Sequence, residues 1–558
     1  MKLVNVDEMR RIEQLTDARG HSYSSMMELA GRAVAGAALR EIPEQFQRPD
    51  RYGRTLVLVG PGNNGGDGLV AARYLIEAGQ DVCVYLWKRN VDGDVNFRRL
   101  VEGGERSRIL WAERDEALAA LRSELGSCEL VIDAFLGTGA ARPIQGQLAE
   151  ILAAVRAEAE RRRLSGPHAA PDLLFLRFPL EGAQGGAPDA QPLVLDSHPL
   201  AVLAVDCPSG LNCDTGALDP AAVQADLTVT FAYPKWGQLQ YPGAGACGRL
   251  AVADIGVPRD LDEVLPVELV EPERVRELLP PRPRDANKGS FGKALVAGGS
   301  SLYVGAPALS GQSAARSGAG LVTVALPRDI QPFLAARLLS LTWLPLASAD
   351  GRHCRAGGAA LREALENYDA ALVGPGLTTD DQAAAFLEEI LAARSGETKF
   401  VFDADALNLL AKRADWPRAL PPTSVLTPHP GEMSRLTGHS IVEINANRIS
   451  AARRFAEAWG HVVLLKGAHS VIAHPGGRAA VLPFADPALA KAGSGDVLAG
   501  VIVAMLAQGL RPYEAALAGG YVHGQAGKLA GQKVGAAGTS ADDLVDALAE
   551  SLRRLVAA

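Results

Sequence analysis

The chain of 558 residues is too long for a single hydrophobic core; at about 100–200 residues per domain it needs two large or three ordinary ones. Hydrophobic residues make up 48% and charged residues 22%, the balance of a globular chain rather than of a disordered one. A net charge of −8 over this length argues against a general nucleic-acid or membrane surface.

The opening MKLVNVDEMRRIEQL is charged from the start and lacks the apolar region of a signal peptide. TLVLVG (Thr55–Gly60) predicts a strand, PGNNGGDG a loop, and LVAARYLIEAG a helix. DVCVYLW (Asp81–Trp87) predicts a second strand, and LVIDAFLGTG (Leu130–Gly139) and LAVDCPSG (Leu203–Gly210) two more, each running into a polar loop. Alternating strands and helices imply a parallel, doubly wound sheet, whose ligands sit at the carboxyl ends of the strands, where all three loops fall. Arg161, Arg162 and Arg163 read as a solvated helix end. The stretch 161–199, rich in Pro, Gly and Ala, reads as a surface insertion.

Four prolines between Pro272 and Pro283 mark a linker, so the domains are expected at 1–270 and 286–558 with a linker at 271–285. The second half repeats the same grammar. KALVAGG, LVTVAL, AALVGPG, FVFDADALN and VVLLKG are strand-then-loop units. The apolar run Val497–Leu510 is too short to span a bilayer and reads as a buried helix. None of the six cysteines forms a Cys-x-x-Cys pair, which argues against disulfides or zinc and for a reducing, cytoplasmic setting.

Gly493-Ser-Gly495-Asp496 opens that helix. Free backbone N–H groups and the positive helix end make an anion site, and a carboxylate there suits a base more than a phosphate ligand. The tetrapeptide alone fits an N-capping aspartate equally well. No Walker A pattern occurs. In the first half, Gly60-Pro-Gly62-Asn63-Asn64-Gly65 fits G-x-G-x-x-G, but the second strand ends Trp87-Lys88-Arg89, without the acidic residue of an ordinary dinucleotide site.

Larger patterns carry a resemblance. KGSFGKALVAGGSSLYVGAPALS, GAGLVTVA, GPGL, DADALN, LTPHPGEMSRLTG, LLKGAHSVI and AGSGDVLAG, in this order, resemble the ribokinase-like, ADP-dependent NAD(P)HX dehydratase family. The resemblance implies that Ala306, Gly376, His429 and Asp496 meet the hydrated cofactor. It also implies that Lys466, Gly467, Ala468, His469, Ser470 and Gly495 hold ADP with magnesium, and that Asp496 is the base. EMRRIEQL, SSMMELAGRAV, GPGNNGGDG, DAFLGTGAARP, VDCPSGLNCDTG, ADLTVTFAYPKWG and PGAGACG resemble the NAD(P)HX epimerase family. This implies a Rossmann-like domain in which Asn63, Asn64, Gly65, Gly66, Asp67, Gly137, Thr138, Gly139, Ala140, Ala141, Arg142, Pro143 and Asp206 bind NADHX or NADPHX. It further implies that Asn64, Asp133 and Ser209 ligate potassium, and that Asp206 shuttles a proton. A homo-oligomer is expected. The alternative is a small-molecule kinase fused to a non-catalytic binding scaffold.

Overall fold

A computed structural model describes residues 1–41, 54–102, 107–139, 142–162, 200–392 and 397–557. Ala140, Ala141, Arg163 and the rest of the expected insertion lie outside the described residues. The chain divides into two compact units, residues 2–265 and residues 266–558 with Met1. The expected boundary at 270 thus differs from the observed one at 265. The stretch expected as a linker starts with a helix, Pro272–Leu278. Proline at a first helical turn costs no hydrogen bond, and Val275 is wholly buried in the second unit's core.

Among the described residues, the first unit holds strands β1 (Arg54–Val59), β2 (Asp81–Leu86), β3 (Ser107–Trp111), β4 (Leu130–Ala134), β5 (Ala201–Val205), β6 (Leu227–Phe231) and β7 (Arg249–Ala253). They form one sheet in the order β3-β2-β1-β4-β5-β6-β7. Every pairing is parallel. Successive strand residues point to opposite faces, so Val57 and Val59 join one core while Leu56 and Leu58 join the other. The first core takes in the helices Val6–Ala18, Tyr23–Glu41 and Asn63–Glu77, and the second takes in Ala119–Ser127 and Gln147–Arg162. Strand order reverses between β1 and β4, the switch point where parallel sheets open a crevice.

Arg162 departs from the expected solvated end. Its side chain folds onto the Cys128 carbonyl at 2.7 Å and onto Glu158 at 2.6 Å, covering the helix on which it sits. Arg161 remains exposed.

The second unit contains β8 (Val267–Leu269), β9 (Lys293–Ala297), β10 (Leu321–Pro327), β11 (Thr342–Leu346), β12 (Ser348–Ala349), β13 (Arg352–His353), β14 (Ala370–Val373), β15 (Lys399–Phe402), β16 (Val425–Leu426), β17 (Val462–Leu465), β18 (Val471–Ala473) and β19 (Ala479–Val481). The main sheet runs β11-β10-β9-β14-β15-β16-β17-β18-β19-β8, while β12 and β13 pair with each other. Pairing is parallel from β11 to β17 and antiparallel between β17, β18 and β19. Helices cover both faces. On one side lie Gly305–Arg316, Ser494–Ala507, Pro512–Val534 and Ala541–Ala557; on the other lie Arg355–Ala364, Asp381–Leu391 and Asp405–Leu410.

The helix Ser494–Ala507 is buried from Val497 onward, as its unbroken apolar run requires. Each fully buried Leu or Ile on it contributes about 1.5–3 kcal/mol relative to exposure. Among the described residues no helix is long and apolar enough to cross a membrane. All six cysteines are free thiols.

Candidate active sites

In the first unit β1, β4 and β5 are neighbours, so the loops after them converge. Asn64, in the first turn of the helix Asn63–Glu77, donates from Nδ2 to the Leu136 carbonyl at 3.0 Å. Ser209 Oγ donates to Asp133 Oδ1 at 2.6 Å, and Ser209 N to Asp133 Oδ2 at 2.8 Å. Leu136 N donates in turn to Ser209 Oγ at 3.0 Å. Gly137 lies against the Asn64 side chain. Burial raises the Asp133 carboxyl above its ordinary range, partly offset by the Ser209 hydrogen bonds. Among the described residues no lysine, arginine or histidine pairs with Asp133. A buried carboxylate with hydroxyl and amide oxygens close by is a donor set that fits a weakly held alkali cation.

Asp206 directly follows β5 with φ of 61°, a left-handed backbone that costs of order 1–3 kcal/mol for a residue with a side chain. Its Oδ1 accepts from Lys235 Nζ at 2.5 Å and from Thr230 Oγ1 at 3.0 Å. Gln238 Nε2 donates to its carbonyl at 2.7 Å. Lys235 is 1% exposed, and its remaining donors go to Thr230 and the Phe231 carbonyl. Asp67, on the helix after the glycine loop, is buried beside this pair. Burial, then the Asp206 and Glu13 carboxylates, push its pKa well up. Lys235 was missed in the sequence reading because 29 residues separate it from Asp206. Its signal was a lysine after a strand, between proline and tryptophan, inside a motif already quoted.

The other expected contacts spread along the crevice. Asn63 is exposed at the helix start, Gly65 and Gly66 are buried in its first turn, and Gly139 approaches Arg10. Thr138 is half-buried, while Arg142 and Pro143 are exposed. Arg89 Nη1 donates to the carbonyls of Gly60 and Gly62 at 2.8 and 2.9 Å while Nη2 pairs with Asp94. The position that an acidic residue occupies in an ordinary dinucleotide fold is therefore spent on bracing the glycine loop.

In the second unit, the helix Ser494–Ala507 packs on β9, β14 and β15, and its first turn stands beside Asp403, which follows β15, and Lys466, which follows β17. Lys466, after β17, pairs through Nζ with Asp403 Oδ1 at 2.7 Å and lies 3.6 Å from Glu432 Oε2. Burial works against the lysine charge, but Asp403 and then Glu432 outweigh it and hold its pKa above the usual value. His429 caps the helix Pro430–Thr437, its Nδ1 accepting from Gly431 N at 3.0 Å and Glu432 N at 3.3 Å. That leaves Nε2 as the N–H, 3.3 Å from Glu432 Oε1. Burial, then Lys466, lower the His429 pKa, so the neutral ring is favoured.

Asp496 sits in the first turn of its helix. Burial, then Asp403, push its carboxyl up to about 7, with Lys466 opposing them. Glu432 is likewise raised, to about 7, chiefly by burial. Gly495 lies between, since a Cβ there would stand 3.5 Å from Lys466 Nζ. Asp403, Asp405 and Glu432 had no assigned role in the sequence, although each lies inside DADALN or HPGE.

A pocket of about 610 Å³ adjoins this cluster, within the usual range for a small-molecule site. His429, Lys466, Gly467, Ala468, Ser470 and Gly495 line it, with an apolar wall of Leu482, Phe484, Leu489 and Leu498. His469 does not line it; its buried ring faces the Leu482 carbonyl at 3.2 Å. Ala306 and Gly376 stand together elsewhere on the strand ends. Gly376 has φ of 70°, and a Cβ on it would meet Tyr303 Cβ at 2.8 Å and Ala306 Cβ at 3.3 Å. Two residues on, Thr378 N donates to Asp405 Oδ2 at 2.9 Å, and Asp405 acts on Asp496 electrostatically.

Two α/β units with strand-end sites, the second carrying a raised carboxyl at a helix N-terminus, define a two-domain enzyme. A family model described as NAD(P)H-hydrate dehydratase matches residues 294–550, and one described as YjeF-related protein N-terminus matches residues 24–237. Bifunctional NAD(P)H-hydrate repair enzymes of Thermofilum pendens and Moorella thermoacetica are each 36% identical to the chain, covering 100% of it and 97% of their own length. The Escherichia coli enzyme of the same name is 31% identical, over 97% of this chain and 92% of its own. The solved ADP/ATP-dependent NAD(P)H-hydrate dehydratase of Bacillus subtilis, co-crystallised with ATP and magnesium, is 32% identical over 52% of this chain and 99% of that one, at a TM-score of 0.46. The chain belongs to the family of bifunctional NAD(P)H-hydrate repair enzymes.

Proposed function

We propose that the chain repairs hydrated nicotinamide cofactors in two steps. The first unit interconverts the R and S epimers of NADHX and NADPHX. The second dehydrates the S epimer at the expense of ADP, releasing AMP and phosphate. The observation that carries this reading is the raised Asp496 carboxyl at a helix N-terminus, beside a nucleotide-sized pocket and the Lys466–Asp403 pair.

The chemistry follows from the leaving group. Hydroxide leaves the reduced ring poorly. Asp496 takes the proton of the 6-hydroxyl as its oxygen attacks the β-phosphorus of ADP, and the bond to AMP breaks. The ring nitrogen lone pair then expels phosphate, and loss of a proton from the adjacent carbon restores the double bond. Backbone N–H groups at Ser494–Asp496 and the Lys466 ammonium face the phosphates. The Lys466–Ser470 loop and the apolar wall hold the adenine nucleotide, while Ala306, Gly376 and neutral His429 face the hydrate.

Among the described residues no three His, Cys, Asp or Glu side chains converge as a metal cage, which fits magnesium arriving on the nucleotide. Magnesium offsets charge on the phosphates. Asn64, Asp133 and Ser209 would hold potassium, which would fix the loops after β1, β4 and β5 around the substrate. The six free thiols support a reducing cytoplasmic setting. The homo-oligomer expected from the sequence is tested by sedimentation of the whole chain.

Mixed-epimer NADHX, magnesium and ADP should give an ADP-dependent rise in reduced-nicotinamide absorbance. Complete conversion faster than spontaneous epimerisation is expected from the first unit. No rise with ADP or ATP overturns the dehydratase; a stable phosphorylated product instead supports the small-molecule kinase.

Gly524 provides a test of the nucleotide pocket. A Cβ there would lie 2.2 Å from the Phe484 ring, and both residues line the pocket, so Gly524→Ala must displace that wall. The KM for ADP should rise about tenfold, equivalent to about 1.4 kcal/mol, with the KM for NADHX unchanged. Equal effects on both would place ADP elsewhere.

A further inference from the structure

The opening motif EMRRIEQL has no role in the account above, yet its helix reaches the epimerase site. The chain just before the helix Val6–Ala18 is tied to both neighbours of Lys235. Val4 N donates to the Pro234 carbonyl at 3.0 Å and Trp236 N to the Val4 carbonyl at 2.9 Å. Asn5 caps the helix in a reciprocal pair with Glu8, and Val6 N donates to Asp214 Oδ1 at 2.8 Å. Arg10 then reaches the loop after β4, where a Cβ on Gly139 would stand 3.5 Å from its Nη2.

Glu13 follows three residues on, on the same side of the helix. It is half-buried, and its charged and titratable neighbours are Lys235, Asp206, Asp67, Arg10 and Tyr23. Three carboxyls therefore share the surroundings of one buried lysine, and that lysine is committed to Asp206 at 2.5 Å. The nearby Arg89 is engaged with Asp94 and two loop carbonyls. Burial and the neighbouring Asp206 raise the Glu13 pKa, and Lys235 only partly offsets them.

We propose that Glu13 is the second proton-transfer group of the first unit, the acid that complements Asp206. The proposal rests on the epimerase reading. Asp206 is ion-paired with Lys235 at 2.5 Å, whereas Glu13 is half-buried beside that pair, in surroundings that favour its protonated form. Glu13 gives its proton to the 6-hydroxyl, the C6–O bond breaks, and water leaves. The ring nitrogen lone pair forms a C6–N1 double bond. A second water adds to the opposite face and gives a proton to Asp206, and solvent returns that proton to Glu13. One water leaves and one enters, with no change of oxidation state.

The test compares the whole chain with Glu13→Gln and Glu13→Asp, on purified R and S hydrates. Epimerisation should fall at least about a hundredfold in Glu13→Gln and recover to within about tenfold of wild type in Glu13→Asp. ADP-dependent dehydration of the S hydrate should be unchanged in both, showing that the chain is folded. An acid must be protonated, so the wild-type epimerisation rate should fall as pH rises through the Glu13 range. Glu13→Gln should lack that alkaline limb, which a structural role would leave in place.

Wild-type epimerisation in water enriched in heavy oxygen should place one labelled oxygen on the ring per turnover. Wild-type rates in Glu13→Gln, an intact alkaline limb, or unlabelled product each overturn the proposal while sparing the epimerase reading. Absence of epimerisation in the wild type overturns both.

Discussion

Asp496→Asn should remove ADP-dependent dehydration, by a factor of about 10²–10⁴, and leave epimerisation of NADHX at the wild-type rate. Asn preserves size and the helix start but cannot accept the substrate's hydroxyl proton. Purified S epimer, assayed with ADP and magnesium, measures the first effect, and interconversion of the epimers measures the second. Dehydration at the wild-type rate in Asp496→Asn would falsify the base assignment.

The wild-type pH profile has a defined sign. A base works ionised, and the Asp496 carboxyl is pushed up to about 7, so the rate should climb with pH through the neutral range. Glu432 titrates in the same range, so the limb reports both groups. Lys466 lowers the Asp496 pKa by its charge, so Lys466→Met should carry the midpoint to higher pH as well as weaken nucleotide binding.

Asp206→Asn should have the converse effect, a loss of epimerisation of at least about a hundredfold with dehydration retained. It should also unsettle the first unit, because it leaves the Lys235 ammonium buried without its carboxylate. Removal of one partner of a buried ion pair typically costs about 3–5 kcal/mol. The double variant Asp206→Asn, Lys235→Met removes the stranded charge along with its partner. It should recover most of the stability and none of the epimerisation. Thermal unfolding of the three proteins, read beside the epimerisation assay, separates the two effects. Equal destabilisation in the single and double variants would show that the pair is not the source.

Much of this was legible in the order of residues. Apolar runs of four to seven residues ending in glycine turns can satisfy their backbone only as paired strands, and the helical patterns between them force parallel pairing. Thr55–Gly60, Leu130–Gly139, Leu203–Gly210 and Val497–Leu510 therefore announced β1, β4, β5 and the buried helix directly. The loops that end those strands could be placed at one edge of each sheet for the same reason. The ordered motifs also singled out Lys466, Asp496, Asp133 and Asp206 as candidates, although no single tetrapeptide distinguished a base from an N-cap.

What stayed hidden in the sequence was partnership across distance. Lys235 with Asp206, Lys466 with Asp403, Arg89 on the glycine loop and Glu13 with Lys235 are separated along the chain by a strand or more. Composition and periodicity are local and settle which residues turn inward; which charges then share a low-dielectric space depends on strand order and helix placement. The sequence by itself determined two α/β units and their strand-end loops, because backbone pairing and apolar periodicity act over short spans, but not the antiparallel β18 and β19 that make the second sheet mixed. Only the tertiary structure decided the boundary at 265, the burial of Val275 in a segment that reads as a linker, and the protonation tendencies of Asp496, Glu432 and Glu13. Those tendencies come from desolvation and from carboxylates crowded around one committed lysine in each unit, and neither exists until the sheets have assembled.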